Sequence, residues 1–91
     1  MREVNLSKDA GKFLKKLPPK HRRQMAERIL GLSENPLALD TGKLRGYDDY
    51  RRADIGEYRI IYRFSQAMVF VTLLGKRKDD EVYRKFKRSG K

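Results

Sequence analysis

Four arginines and a tyrosine in the second half of this chain have types and spacings suited to chemistry on a phosphate. In GEYRIIYRF, residues 56–64, Arg59 and Arg63 fall on alternate positions of a strand candidate. They therefore share one face with Ile61, while Tyr58, Ile60, Tyr62 and Phe64 point to the other. Arg52 from the preceding strand candidate and Arg77 in GKRKDDEVY, just beyond the following one, belong with the arginine face. Tyr83 comes six residues after Arg77, far enough to cross a turn and enter a helix, so its ring can return over the same basic surface. Guanidinium groups stay charged and bind phosphate bidentately, and an aromatic ring stacks on an unpaired base, so the set suits RNA. Cleavage by the 2′-hydroxyl of the RNA itself needs a base, stabilisation of a charged pentavalent phosphate, and help for the leaving oxygen. Clustered arginines supply the second by preorganised electrostatics. Positive charge around Tyr83 favours its phenolate and makes it a candidate proton acceptor, and Arg77 can serve the phosphate or the leaving group.

Each residue also has a plainer reading. Arg63 can be an edge charge that blocks aggregation. Tyr58 and Tyr62 fit the core better than a stacking platform, and the KRK at 76–78 can be a solvated turn. His21, after LPPK at a helix start, reads as an ordinary solvated histidine.

The composition points the same way as the constellation. The chain has 91 residues, 23 of them Lys or Arg against 12 Asp or Glu, for a net charge of +11, which attracts polyanions before any specific contact forms. Its length suits one domain, residues 1–91, with one small core. Cysteine is absent, which excludes disulfides, thiolate catalysis and the common zinc sites, and a single histidine excludes a two-histidine nuclease. The sequence thus leads us to expect no metal and no cofactor. No apolar run approaches the roughly 20 residues of a spanning helix, and the N-terminus lacks a signal-peptide core, so no membrane partner and a cytoplasmic location are expected.

The elements that must position these residues follow from periodicity. REVNL (2–6) alternates and reads as a short strand, and Ser7 offers an N-cap. Ala10, Phe13, Leu14 and Leu17 form one helical stripe of about three turns that ends at Pro18-Pro19. Pro19 can open a second helix whose stripe is Met25, Ala26, Ile29, Leu30 and Leu32, making an antiparallel hairpin. Residues 37–49 have no sustained period and read as a loop. Strands follow at about 50–55, 58–64 and 68–74, joined by tight turns, with the apolar AMVFVTLLG as the central one. DDEVYRKFKR (79–88) is acidic at its start, basic at its end and helical in its spacing of Val82, Tyr83 and Phe86. The expected fold is α+β: an N-terminal strand and helical hairpin on a small twisted antiparallel sheet, with a short C-terminal helix and an open face opposite the hairpin.

GKLRGYDDYRRADIGEYRIIYRF followed by VFVTLLGKRKDDEVYRKFKR resembles the RelE-type ribosome-dependent mRNA endonucleases, toxins of type II toxin–antitoxin pairs within the RelE/ParE superfamily, whose fold is microbial RNase-like. The resemblance runs nearly end to end and is most specific at KLRG, YRIIY, GKR and EVY. It implies a metal-independent endoribonuclease that cuts mRNA in the A site. It assigns phosphate support to Arg59, matches the GKR arginine to Arg77, and gives base stacking or proton transfer to Tyr83. The strand before the turn usually brings two alternate basic residues; Arg52 matches the first, but Asp54 stands at the second. Arg52, Tyr83 or Arg51 must then substitute if the family's base lies there. Lys43, Arg45, Arg51, Arg63, Lys76 and Lys78 are the RNA-binding candidates around this catalytic set. The resemblance further implies three partners. One is a cognate antitoxin in a hetero-oligomeric complex, whose extended segment wraps the toxin and covers or displaces elements such as the last helix. The others are the 70S ribosome with its mRNA, and operator DNA reached only through the antitoxin complex. Two alternatives stay open: a ParE-like DNA gyrase inhibitor, which shares the fold without the nuclease residues, and a non-catalytic RNA-binding protein.

Overall fold

The computed structural model describes residues 1–78 and 81–88. In chain order the elements are β1 (Glu3–Leu6), α1 (Lys8–Lys16), α2 (Pro19–Glu34), β2 (Thr41–Leu44), β3 (Tyr47–Ile55), β4 (Tyr58–Phe64), β5 (Met68–Lys76) and α3 (Glu81–Arg88). The acidic helix start expected at Asp79 and Asp80 lies outside the described residues. Among the described residues no helix is long and apolar enough to cross a membrane.

Local chemistry explains the helix boundaries. The Ser7 hydroxyl accepts the Ala10 amide at 3.0 Å, capping α1, and donates to the Thr72 carbonyl at 2.6 Å, tying the cap to β5. Pro18 caps α2 and Pro19 occupies its first turn, where the missing N–H costs nothing. Met25, Ile29 and Leu32 are buried as the α2 stripe predicts, but Leu30 is 52% exposed. Ser33 takes a buried place instead, its hydroxyl donating to the Leu30 carbonyl at 2.5 Å.

The sheet has five strands in the order β1-β5-β4-β3-β2. All neighbours are antiparallel except β1, which runs parallel to β5, so the sheet is mixed rather than purely antiparallel. The middle strand is β4. The apolar run of β5 is explained differently: it is paired along both edges and covered on both faces.

Two further sequence expectations need correction. The segment read as a loop over 37–49 contains β2 and the start of β3, which form a hairpin whose turn at Gly46 has φ +84°. Glycine alone adopts that conformation without strain, and a register shift between Lys43 and Leu44 breaks the period that would have betrayed the strand. The face opposite α1 and α2 is also not open. One core joins Met25, Ile29 and Leu32 to Ile60, Tyr62, Val69, Val71 and Leu74. A second, on the other face, joins Leu44, Ile61 and Leu73 to Val82 and Phe86 of α3.

Gly75 lets α3 sit this close. A Cβ there would lie 3.2 Å from the Val82 Cβ. Gly75→Ala is expected to destabilise the fold by about 1–2 kcal/mol by pushing α3 outward, which a shift in the urea midpoint would record. An unchanged midpoint would mean that α3 yields freely.

Candidate functional site

Strand alternation and cross-strand register assemble the site. Arg52 and Asp54 project from one face of β3, and β4 sets Ile61 opposite Arg52 and Arg59 opposite Asp54. Ile61 anchors the second core, so the arginines beside it sit at the margin of that core, where α3 ends its cover.

There a pocket of about 660 Å³ opens to solvent. Lys43 and Arg45 of the β2–β3 hairpin, Arg52 and Arg59 of the sheet, and Arg84 and Lys87 of α3 line it together with Tyr83. None of these lining residues is acidic. Six cations around one aromatic ring can neutralise a polyanion's backbone while the ring offers a face to a base.

Tyr83 is fixed at both ends. Its ring packs against the second core, and its hydroxyl donates to the Arg45 carbonyl at 2.8 Å, joining α3 to the hairpin turn. The whole wall depends on α3, which Phe86 holds down by edge-on contacts with Tyr47 at 4.7 Å and Tyr50 at 4.8 Å between ring centroids.

Beside the pocket, Asp54 ties two of the arginines together. Its Oδ1 accepts from Arg59 Nε at 2.7 Å, its Oδ2 accepts from the second arm of the same guanidinium at 3.3 Å, and Arg77 approaches Oδ2 at 3.6 Å. Burial pushes the Asp54 carboxyl up, but the Arg59 hydrogen bond and the charges of Arg59, Arg77 and Arg52 outweigh it and hold the group below the usual carboxylate range.

The predicted site residues thus divide. Arg52, Arg59 and Tyr83 meet in the pocket with Lys43 and Arg45, and Arg77 joins them through Asp54. Arg77 is itself positioned by its backbone N–H, which donates to the Glu57 carbonyl at 2.8 Å. Four others lie outside the pocket lining. Arg51 alternates onto the α2 face and donates to the Thr41 hydroxyl at 2.8 Å. Arg63 lies at the far end of β4, its guanidinium 4.7 Å from the centroid of the Phe70 ring. Because β4 is the middle strand, neither a pocket contact nor a sheet-edge charge describes Arg63. Lys76 and Lys78 are exposed beside Arg77. Tyr58 and Tyr62 are core residues, 8% and 0% exposed. His21 is half-buried, its Nδ1 2.8 Å from the Tyr58 hydroxyl, rather than solvated.

Arg84 and Lys87 complete the pocket and were absent from the predicted set. Their signal was the amphipathic pattern of EVYRKFKR: with Val82 and Phe86 buried, residues 84 and 87 must turn away from the core. Among the described residues no group of three His, Cys, Asp or Glu side chains could hold a metal ion.

Comparison with known proteins agrees with this architecture. The chain is similar to a chain of the toxin–antitoxin complex RelBE2 from Mycobacterium tuberculosis, with 28% identity over 84% of this chain and 98% of the other and a TM-score of 0.73. It is similar to a chain of the archaeal RelE–RelB complex from Pyrococcus horikoshii, with 29% identity over 86% and 97% and a TM-score of 0.72. The isolated RelE toxin of E. coli matches over 100% of both chains with 25% identity and a TM-score of 0.74. No curated protein matches in sequence at comparable strength. The family model for the ParE toxin of the type II toxin–antitoxin system parDE matches residues 4–81, which takes in the helical pair, all of the sheet but the first residue of β1, and the first residue of α3. With that span matched and the RelE fold reproduced, the chain belongs to the ParE toxin family, within the RelE/ParE superfamily of type II toxins.

Proposed function

We propose that this toxin is a ribosome-dependent endoribonuclease that cuts mRNA in the A site and so arrests translation. The observation that carries the proposal is the pocket: six cations converge around Tyr83, with Arg52 and Arg59 held by the rigid sheet rather than by loops. In the reaction the 2′-hydroxyl of the mRNA attacks the adjacent phosphorus and loses its proton, while the 5′ oxygen of the next nucleotide leaves and gains one. Arg52 and Arg59 stabilise the charge that builds on the phosphoryl oxygens, and Arg77, beyond Asp54, reinforces that field. Lys43, Arg45, Arg84 and Lys87 hold the flanking phosphates. The Tyr83 ring faces the pocket as a base-stacking surface, and its hydroxyl is the pocket's candidate for proton exchange.

Two substitutions separate those roles of Tyr83. Tyr83→Phe keeps the ring and loses the hydroxyl, and Tyr83→Ala loses both. If stacking is the main contribution, Tyr83→Phe should retain cleavage within a few-fold while Tyr83→Ala loses about 1–3 kcal/mol of substrate binding. If proton transfer is the main contribution, both fall together, by roughly 100-fold or more. Single-turnover cleavage of ribosome-bound mRNA decides.

The neighbouring complexes pair their toxins with antitoxins, and we infer a cognate antitoxin for this chain too, with operator DNA reached only through the pair and a cytoplasmic site of action. A basic pocket is a natural target for an acidic segment of such a partner.

A second reading has its own support. The matching family model is that of ParE, and Asp54 offsets part of the charge of two arginines that the nuclease needs. On that reading the toxin inhibits DNA gyrase. Primer extension on a defined mRNA programmed into ribosomes separates the two. A-site cuts that vanish with Arg77→Ala support the nuclease; no cuts, unaffected translation and induced DNA-damage signalling support gyrase.

A further inference from the structure

Among the described residues, Asp54 is the acidic side chain set against the arginines of the site. Its two oxygens take the Nε and one terminal nitrogen of Arg59 at 2.7 and 3.3 Å, and Arg77 stands 3.6 Å from the outer oxygen. A guanidinium fork grips two oxygens of a phosphate in the same way. Arg59 is largely covered, its side chain 16% exposed, and lies directly across the strand pair from Asp54, whose carboxylate takes this edge of its fork.

We propose that Asp54 is an internal stand-in for the substrate phosphate: its carboxylate occupies the seat between Arg59 and Arg77, and a phosphodiester of single-stranded RNA gains that edge of Arg59 only by displacing it. Asp54 is then a positioning residue that sets how tightly the pocket holds RNA. The inference rests on the RNA reading above and deepens it.

Two other roles fit the observations less well. A general base at this position would need spare proton affinity, yet both oxygens are engaged and the neighbouring arginines hold the group ionised. A purely structural cross-strand pair would explain the Arg59 contact but not why Arg77, beyond the end of β5, turns toward the same carboxylate.

The test is the affinity of a short single-stranded 2′-O-methyl RNA, uncleavable because its attacking hydroxyl is blocked, for the full chain and its Asp54→Asn variant across a series of KCl concentrations. Asp54→Asn is expected to bind about tenfold more tightly, and the dependence of log Kd on log salt to steepen by about 0.7, the increment for one more phosphate neutralised on a single strand. Asp54→Ser should move both quantities the same way. Equal or weaker binding with an unchanged slope overturns the proposal and makes the carboxylate an organiser of Arg59. A variant that binds like the parent but cuts ribosome-bound mRNA more slowly also overturns it, because the carboxylate would then be accepting a proton. If neither protein cuts mRNA while Asp54→Asn still binds more tightly with the steeper slope, the nuclease reading fails and the role of Asp54 stands.

Discussion

Arg59→Ala is expected to lower the rate of A-site cleavage by 100-fold to 1,000-fold, the scale seen when one preorganised donor to a transition-state oxyanion is removed. Arg59 combines full ionisation, a covered side chain and a place on the middle strand of the sheet, so its geometry is set before substrate arrives. The same substitution leaves Asp54 with Arg77 at 3.6 Å and the Arg52 charge as compensation. Folding should therefore weaken by about 1–2 kcal/mol, well short of unfolding. The pH dependence has a defined sign. The folded-state pKa of Asp54 is depressed, so the stability it confers is present above its usual value of 3.8 and is lost as pH falls through the lower folded value. Acid unfolding of Arg59→Ala should show less of that loss than the parent protein. Cleavage within tenfold of the parent at equal folded fraction would remove Arg59 from the chemistry.

Phe86→Ala is expected to have the largest effect on structure. Phe86 is fully buried between two tyrosines, and deleting such a ring costs about 3–5 kcal/mol where the surroundings cannot collapse. The second core is small, and α3 is anchored in it through Val82 and Phe86 with the Tyr83 ring packed alongside. The loss should thus appear as undocking of α3: amide protection across α3 disappears while β4 and β5 keep theirs. Because Tyr83, Arg84 and Lys87 all leave with the helix, RNA binding and cleavage should be lost although the first core persists. Loss of protection in β4 and α3 at the same denaturant concentration would show instead that the two cores are one cooperative unit.

How much of this could be read from the residues follows the range of the interactions involved. The α1 stripe of Ala10, Phe13, Leu14 and Leu17, the alternation of β4, and the placing of Arg52, Arg59 and Tyr83 on one side rest on periods of two or 3.6 residues, which are local properties. What escaped depends on distant partners or on single backbone angles. The β2–β3 hairpin hinges on Gly46 and a register shift, and both interrupt a period instead of creating one. The cover of the second face by α3 needs the side chain missing at Gly75, which no pattern displays. Asp54 looked like a departure from the expected run of basic residues. Only the cross-strand register, which sets it opposite Arg59, shows that its charge is used. Arg51 shows the converse: adjacent to Arg52, it is sent by strand alternation to the other face.

The parallel pairing of β1 with β5 also bears on how such a chain is made. Glu3 to Leu6 register with Met68 to Val71, and Ser7 is bonded to Thr72, 65 residues away. A strand that leaves the ribosome early must therefore wait, unpaired, for one that leaves late, and the sheet cannot close around a partial chain. High contact order of this kind slows folding. The pocket lined by β3 and β4 likewise gains its α3 wall only after β5 has been synthesised, so for an interval during synthesis the basic residues of the sheet exist without the helix that completes their site.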